Sequence, residues 1–172
     1  DGQALTPASF GVTDTSTGRW IPKTVEPFPT TTTDIAVTVV SSGGNKFAVD
    51  GVTQGAVTLI EGATYKFDQS DSSNATHPLR FSTTSDGTHN SGTEYTTGVT
   101  TVGTPGSSGA YTQITVATGA PTLYYYCSSH SGMGGTANTQ DQYGTNGFRL
   151  TFADSSAFGD DTSGNTNDFT SS

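Results

Sequence analysis

The sequence predicts an all-β protein, and three observations lead to this class. Hydrophobic residues make up only 30% of the 172 residues, which is low for a helical protein but sufficient for sheets. Threonine, tyrosine, valine and phenylalanine supply half-buried strand surface, and 22 glycines together with asparagine and serine supply turns. Short segments of alternating apolar and polar residues recur between these turns, and no part of the sequence requires a helix.

Three segments in the first half of the chain show this alternation. "DIAVTVV" places Ile35, Val37 and Val39 on one face of a strand. "GAVTLIEG" follows after a Gly/Asn turn in "SSGGNKF". In "ATYKFDQ", Tyr65 and Phe67 face away from their charged neighbours. One face of each strand is therefore expected to lie in the core.

The next strands carry residues of chemical interest. "THPLRFS" places His77 on the same side as Leu79 and Phe81, so this imidazole is expected to point inward. "AYTQITVA" and "PTLYYYC" are expected to pair with each other, and Cys127 lies on the inward face of the second. Residues 84–110 are rich in Gly, Ser and Thr and are expected to form a long surface excursion with one edge strand.

Composition divides the chain into a central domain and two flanks. Residues 1–33 form an N-terminal segment that ends in a Pro/Thr linker, "VEPFPTTTT", and residues 34–138 form the domain. Residues 139–172 form a C-terminal segment with one strand, "FRLTF", and an acidic tail rich in Gly, Asn and Asp. Alternatively, residues 1–33 belong to a second, flanking domain. Because the chain starts at Asp1 without a signal peptide, it is interpreted as a mature form or an excised fragment.

The charge balance excludes some classes of partner. Six basic residues against fifteen acidic ones give a net charge of −9, and no basic patch is available to neutralise phosphates. Nucleic acid is therefore not expected as a partner. No apolar run reaches membrane-spanning length, so no membrane partner is expected either. A single cysteine cannot form an internal disulfide.

The stretch "YYYCSSHSGMGG" contains the only Cys and the only Met of the chain, with a His between them. Cys127, His130 and Met133 follow the pattern Cys-x-x-His-x-x-Met after a strand, and His77 comes from another strand. A thiolate, two imidazoles and a thioether suit copper, since soft sulfur favours the reduced ion and nitrogen serves the oxidised one.

Two alternatives to this copper site remain open. Zinc could occupy the same ligands, although structural zinc sites usually contain more Cys or His. The loop could also be kept only for its shape, with Cys127 as a small buried residue. In either case the local glycines, Gly132, Gly134 and Gly135, can adopt the positive φ angles that curl the loop.

The order of these motifs resembles that of a known family. A His followed by an apolar strand, and later a Tyr-rich strand closing on C-x-x-H-x-x-M-G, is similar to the cupredoxins, the small blue-copper domains. The resemblance covers roughly residues 34–138. It implies a Greek-key β-sandwich of cupredoxin type, here with N- and C-terminal extensions.

The resemblance also implies roles for the ligands. His77, Cys127 and His130 would be the equatorial ligands of a type 1 copper, and Met133 would be the weak axial ligand. Pro78 departs from the family pattern, because members often have Asn at this position to brace the ligand loop. The resemblance therefore leaves open what braces the loop in this chain.

The flanks resemble a different class of protein. "FGVTDTSTGRWIPKTV" and "YGTNGFRLTFADSSAFGDDTSGNTNDF" are similar to parts of structural proteins of marine bacteriophages. "TYKFDQSDSSNATHPLRFSTTSDGTHNSG" and "PTLYYYCSSHSGMGG" resemble a module found in such proteins. This resemblance implies a virion or extracellular location, other virion or fibre subunits as partners, and an oligomeric assembly.

Three functions follow as hypotheses. The first is a structural or surface-display module of a phage particle, built on a cupredoxin-like domain with a copper site. The second is a copper-binding or electron-transfer protein, and the third is a module that adheres to glycans on a host surface. The small neutral collar of Ser128, Ser129 and Ser131 around His130 offers little for docking a redox partner, which favours the first.

The sequence gives no indication of an enzyme. G-x-S-x-G, H-E-x-x-H and a Gly-rich phosphate loop do not occur in it. Multicopper oxidases and nitrite reductases need further clusters of His, and three histidines cannot supply both a blue-copper site and a catalytic one. No catalytic residue is therefore assigned.

Other residues receive structural interpretations. His89 in "DGTHNSG" is expected to be a solvated loop residue without a role. The run Tyr124–Tyr126 is expected to pack in the sandwich rather than to serve as an electron path. The acidic tail lacks the spacing of an EF-hand loop and is expected to be solvated.

Overall fold

Short strands joined by turns make up the folded chain. A computed structural model describes residues 11–22, 31–141 and 168. Within these residues the protein is all-β, as predicted, and its only helical elements are two 3₁₀ turns, Ser72–Asn74 and Gly87–Asn90. No helix of this part of the chain is long and apolar enough to span a bilayer. The predicted strand "FRLTF" lies outside the described residues, as does the acidic tail apart from Asp168.

The strands are numbered in chain order. They are β1 (Gly11–Thr13), β2 (Trp20–Pro22), β3 (Thr33–Ser41), β4 (Asn45–Val49), β5 (Val52–Thr53), β6 (Val57–Ile60), β7 (Thr64–Asp68), β8 (Leu79–Ser82), β9 (Glu94–Tyr95), β10 (Val99–Val102), β11 (Tyr111–Thr115), β12 (Leu123–Cys127) and β13 (Gly135–Gln140). β1 and β2 form a hairpin of their own. The other strands form two sheets, which is consistent with the predicted β-sandwich.

The first sheet has the strand order β10-β11-β7-β3-β4-β5. β3 runs parallel to β7, and Ile35 is the register partner of Phe67. Both side chains are buried, as is Tyr65, while Lys66 lies on the opposite face in an ion pair with Asp34. The predicted alternation of these strands is therefore confirmed.

The second sheet has the order β6-β13-β12-β8-β9. β12 is antiparallel to β8, with Tyr125 opposite Phe81 and Cys127 opposite Leu79. This register brings the end of β12 next to the start of β8, where His77 precedes the strand. The pairing of these two strands is what places the candidate ligands at one end of the sheet.

The core contains buried side chains from both sheets. The rings of Phe67 on β7 and Phe81 on β8 meet edge to face at a centroid distance of 5.2 Å and so join the two sheets. Tyr125 in the core cluster and Tyr126 beside the 3₁₀ turn Gly87–Asn90 are both fully buried, which confirms packing for these two aromatic residues. The core cluster also includes Val37, Phe47, Val49, Leu59, Leu79, Ile114, Leu123, Cys127, Met133 and Ala137.

Two predictions about strand connections are wrong. β11 and β12 do not pair, because residues 116–122 cross from the first sheet to the second; β11 pairs with β7 and β10 instead. Seven residues that include a proline exceed the length of a tight hairpin loop, and this favours a crossover. The turn in "SSGGNKF" does not lead directly to β6 either, since β4 and β5 intervene.

The long segment 84–110 is less irregular than its composition indicates. It holds β9 and β10 as well as a 3₁₀ turn, and β10 forms one edge of the first sheet. After the Tyr-rich strand, β13 pairs parallel to β6 and antiparallel to β12, which the sequence patterns do not reveal. β13 reads "GTANTQ", where glycine and polar residues hide the alternation.

The buried hydroxyl of Tyr125 is expected to make the free energy of unfolding depend on pH in the alkaline range. Its side chain is fully buried, its hydroxyl donates a hydrogen bond of 2.8 Å to the Gly55 carbonyl, and burial raises its pKa from 10.0 to about 12. The folded state thus holds this proton more tightly than the unfolded state. The associated stability is present below pH 10 and should fall by about 2 to 3 kcal/mol as the pH rises to about 12.

Denaturant unfolding at several pH values from 8 to 12 measures this effect. Tyr125→Phe removes the ionisable group and should show a flatter decline of the unfolding free energy over the same range. The same decline in the variant and in the wild type would contradict the assignment to Tyr125.

Candidate metal centre

Cys127 is the residue around which the candidate site is built. It closes β12, is fully buried and faces the core, as its alternation with Tyr125 predicts. Its Sγ lies 3.9 Å from Nδ1 of His77 and 3.7 Å from Nδ1 of His130. The potential donor atoms of these three residues all lie within 4.8 Å of one another. Three of the four predicted ligands therefore meet at one point.

The two imidazoles differ in their exposure. The rings of His77 and His130 are 4.6 Å apart at their centroids, yet His77 is only 7% exposed whereas His130 is exposed to solvent. The cluster thus has a closed side formed by the core and an open side formed by His130.

Met133, the fourth predicted ligand, lies in the core. Its side chain is 1% exposed and belongs to the hydrophobic cluster that contains Cys127. Its backbone carbonyl accepts a hydrogen bond of 2.9 Å from the Phe47 amide on β4. The residue that carries the thioether is therefore attached to the first sheet, whereas Cys127 belongs to the second.

Different constraints require glycine at the three positions around Met133. Gly132 has a φ of +68°, as predicted for a curled loop. Gly134 and Gly135 do not have positive φ, so the predicted reason is wrong for them. A Cβ on Gly134 would lie 1.7 Å from the Tyr125 carbonyl oxygen, and one on Gly135 would lie 2.5 Å from the Tyr125 hydroxyl. Packing against the backbone of β12 leaves no room for a side chain at Gly134, and packing against the Tyr125 side chain and the Gln54 carbonyl leaves none at Gly135.

The loop that carries His77 is braced without an asparagine after the histidine. The Ser128 amide donates to the Pro78 carbonyl at 3.0 Å, which ties this loop to the residue that follows Cys127. The buried Gln69 side chain donates to the His77 carbonyl at 2.8 Å and accepts from the Leu79 amide at 3.0 Å. These hydrogen bonds brace the loop in place of the asparagine that Pro78 replaces in the family pattern.

Asn45 orients the ring of His77. Its side-chain amide lies 3.4 Å from Nε2 of His77, while Nδ1 faces the sulfur of Cys127. An outer hydrogen bond of this kind fixes which ring nitrogen is presented to a metal. Asn45 begins β4, and no sequence motif marks it.

Burial controls the protonation of the ligands. Burial and the neighbouring His130 lower the pKa of His77, so this imidazole is neutral near pH 7 and able to donate a lone pair. Burial raises the pKa of the Cys127 thiol, and backbone hydrogen bonds from Ser129 and His130 act in the opposite direction. A cation beside the sulfur would favour the thiolate, because its positive charge stabilises the negative charge of the deprotonated sulfur.

His89 has a contact that the sequence did not predict. It is exposed, as expected for a loop residue, but its Nε2 lies 2.9 Å from the Cys127 carbonyl oxygen. The exposure of His89 thus agrees with the expected loop position, and its contact is with the backbone at the end of β12. The contact arises because the 3₁₀ turn Gly87–Asn90 packs beside β12, which composition alone does not show.

Comparisons with family models, with curated proteins and with solved structures give no match for this chain. The resemblance to blue-copper domains and to phage structural proteins therefore stays a prediction. What the described structure establishes is a sandwich-like pair of sheets and, at the end of β12, a His-Cys-His cluster with the geometry to hold a metal ion.

Proposed function

We propose that this protein binds a single copper ion through His77, Cys127 and His130, with Met133 as a weak fourth ligand. One observation carries the proposal: the sulfur of Cys127, the nearby imidazole of His130 and the imidazole of the distant His77 offer donor atoms that lie within 4.8 Å of one another. Sulfur and imidazole together are the donor set that copper prefers in both of its common oxidation states. Bound copper would supply one-electron redox chemistry at this site.

The composition of the cluster favours copper over zinc. Among the described residues, no further His, Cys, Asp or Glu joins the three ligands. Structural zinc sites complete a tetrahedron with four N or S ligands, mostly from Cys and His. Here the candidate fourth ligand, Met133, offers a thioether, which is a soft donor suited to copper. Zinc should therefore bind the same residues more weakly.

The chain's own residues give the site its remaining properties. The buried Cys127 and His77 keep bulk water away from one side, and the exposed His130 forms the opening. Around the opening lie Ser128, Ser129 and Ser131, which are exposed and uncharged. These serines carry no charge and offer little for docking a redox partner, so the proposed function is the binding of copper, with no particular redox partner implied.

The role in a virion remains a prediction based on the sequences of the flanks. A rigid sandwich that displays a copper site and a structural module of a phage particle are compatible functions. Partner subunits, oligomeric assembly, a virion or extracellular location and glycan adhesion belong to the same prediction. Copper binding can be measured independently of these properties.

Titration of the reduced, metal-free protein with Cu²⁺ tests the proposal. A thiolate bound to Cu²⁺ gives an intense visible charge-transfer band, which is expected to grow linearly and to stop at one equivalent. Isothermal calorimetry of the same titration should give the same stoichiometry. A protein that stays colourless and shows no stoichiometric heat would overturn the proposal.

A second titration with Zn²⁺ tests the choice of metal. Zinc is expected to bind at one equivalent with lower affinity and to be displaced by copper, as the order of divalent affinities and the thioether ligand both require. Zinc that copper does not displace would indicate a structural zinc site instead.

A further inference from the structure

The turn that carries Met133 is held by side chains of the first sheet. We call residues 128–135 the ligand loop. Lys46 on β4 donates through Nζ to the Gly132 carbonyl. Gln54, just after β5, donates through Nε2 to the Gly132 carbonyl at 3.3 Å and to the Gly134 carbonyl at 2.5 Å. The carbonyls on both sides of Met133 thus have partners outside the loop.

The second sheet holds the same turn from another direction. Oδ1 of Asp86 accepts a hydrogen bond of 2.8 Å from the Gly132 amide. Asp86 lies between β8 and β9 and adopts a left-handed conformation with a φ of 61°. Aspartate tolerates this conformation better than most residues. Gly132 is therefore held at its amide by Asp86 and at its carbonyl by Lys46 and Gln54.

These contacts matter because the ligand loop is rich in glycine. Residues 131–135 read "SGMGG", so the loop has few side chains with which to fix its own backbone. A glycine-rich turn loses much conformational entropy when it is ordered, and that loss would otherwise oppose metal binding. Hydrogen bonds that a charged ammonium donates, as Lys46 does, or that a charged carboxylate accepts, as Asp86 does, are among the stronger ones available to a backbone.

We propose that Lys46, Gln54 and Asp86 are positioning residues that hold the Met133 turn in its metal-binding position before the metal arrives. The proposal rests on the proposed function, since it concerns the same copper site. None of the three residues supplies a ligand. They act through Met133. Because the Met133 thioether is a soft donor that binds copper better than zinc, these residues should raise the affinity for copper more than the affinity for zinc.

Asp86→Ala tests the proposal in the metal-free protein. Hydrogen exchange of the Gly132 amide, followed by NMR, is expected to become at least about 10-fold faster, because its acceptor is removed. Asp86→Asn keeps an oxygen acceptor of the same shape and should preserve most of the protection. Asp34→Ala removes an equal charge from the outer face of the first sheet and should leave the Gly132 amide unaffected.

Metal affinities measured by competition with a chelator provide the second readout. Asp86→Ala is expected to lower the affinity for Cu⁺ by about 10- to 100-fold, and that for Zn²⁺ clearly less. Asp86→Asn should restore most of the Cu⁺ affinity. A variant that merely loosens the fold would weaken both metals alike, so the ratio of the two affinities separates positioning from general stability.

A double-mutant cycle shows whether Asp86 acts through Met133. Met133→Leu removes the thioether with little change in volume and should itself lower the affinity for Cu⁺. In the Met133→Leu background, Asp86→Ala should have much less effect on Cu⁺ affinity than in the wild type. Strict additivity of the two substitutions would overturn the proposal, as would unchanged Gly132 exchange in Asp86→Ala.

Failure of the proposed function looks different from failure of this inference. A wild-type protein that shows no copper band and no stoichiometric binding overturns both. A wild type that binds copper at one equivalent, together with an Asp86→Ala variant that binds copper and zinc as the wild type does, overturns only the positioning role.

Discussion

Cys127→Ser is expected to lower the affinity for copper by more than about 100-fold and to abolish the visible charge-transfer band. The sulfur of Cys127 lies between the two imidazoles, 3.9 Å from His77 and 3.7 Å from His130, so it is the central donor of the cluster. A serine hydroxyl in its place is a hard donor that stays protonated near pH 7. Chelator competition with Cu⁺ and Cu²⁺ measures the loss.

The same substitution should leave the metal-free fold in place. Serine is close in size to cysteine, so the substitution opens no large cavity in the core. Denaturant unfolding of the metal-free variant is therefore expected to differ from the wild type by no more than about 2 kcal/mol. Ser129→Ala, an exposed neighbour, is the control and should keep both the band and the affinity. Wild-type affinity in Cys127→Ser would remove Cys127 from the ligand set.

Phe67→Ala is expected to lower the free energy of unfolding by about 3 to 5 kcal/mol. Phe67 is fully buried, lies in the central part of the first sheet and packs its ring against Phe81 of the second sheet at 5.2 Å. Its removal leaves a cavity where the two sheets meet, and a sheet supported by several neighbours can collapse only partly around it. Equilibrium unfolding in urea, followed by fluorescence and circular dichroism, measures the change.

Lys66→Ala provides the matched control on the same strand. Lys66 lies on the opposite face, with an ion pair to Asp34 and a contact above the Tyr111 ring. Since the ion pair is partly exposed, its loss should cost no more than about 1 kcal/mol. Equal destabilisation by the two substitutions would contradict the placement of the core between the sheets.

Much of the site follows from spacing along the sequence. Cys127 and His130 are three residues apart at the end of a strand, so their meeting needs only a turn, and a thiol and an imidazole at this spacing predict a metal site. His77 was assigned by its alternation with Leu79 and Phe81, and its burial agrees with that pattern. Period-2 alternation is a local property, and it predicts which face of a strand is buried.

The features that the sequence does not predict depend on contacts between segments that are distant in the chain. β11 and β12 have the alternation of a pair, but nothing local indicates that they belong to different sheets. Asp86 and Gln54 lie in turns far from the ligand loop in sequence. Their hydrogen bonds to the loop exist because the two sheets bring these segments together. Gly134 is required by a carbonyl of β12 rather than by its own backbone angle, a constraint that has no signature in the chain.

The parallel pairing of β6 with β13 has a consequence for the order of events during synthesis. Val57 on β6 has its register partner in Ala137 on β13, so one edge of the second sheet stays incomplete until the chain through Gln140 has been made. Pairings between residues so distant in sequence form slowly, because a long segment must first be brought together. β13 also flanks β12, which ends in Cys127. The strands that flank the thiol of Cys127 are thus complete only once β13 has been synthesised and has paired with both β6 and β12.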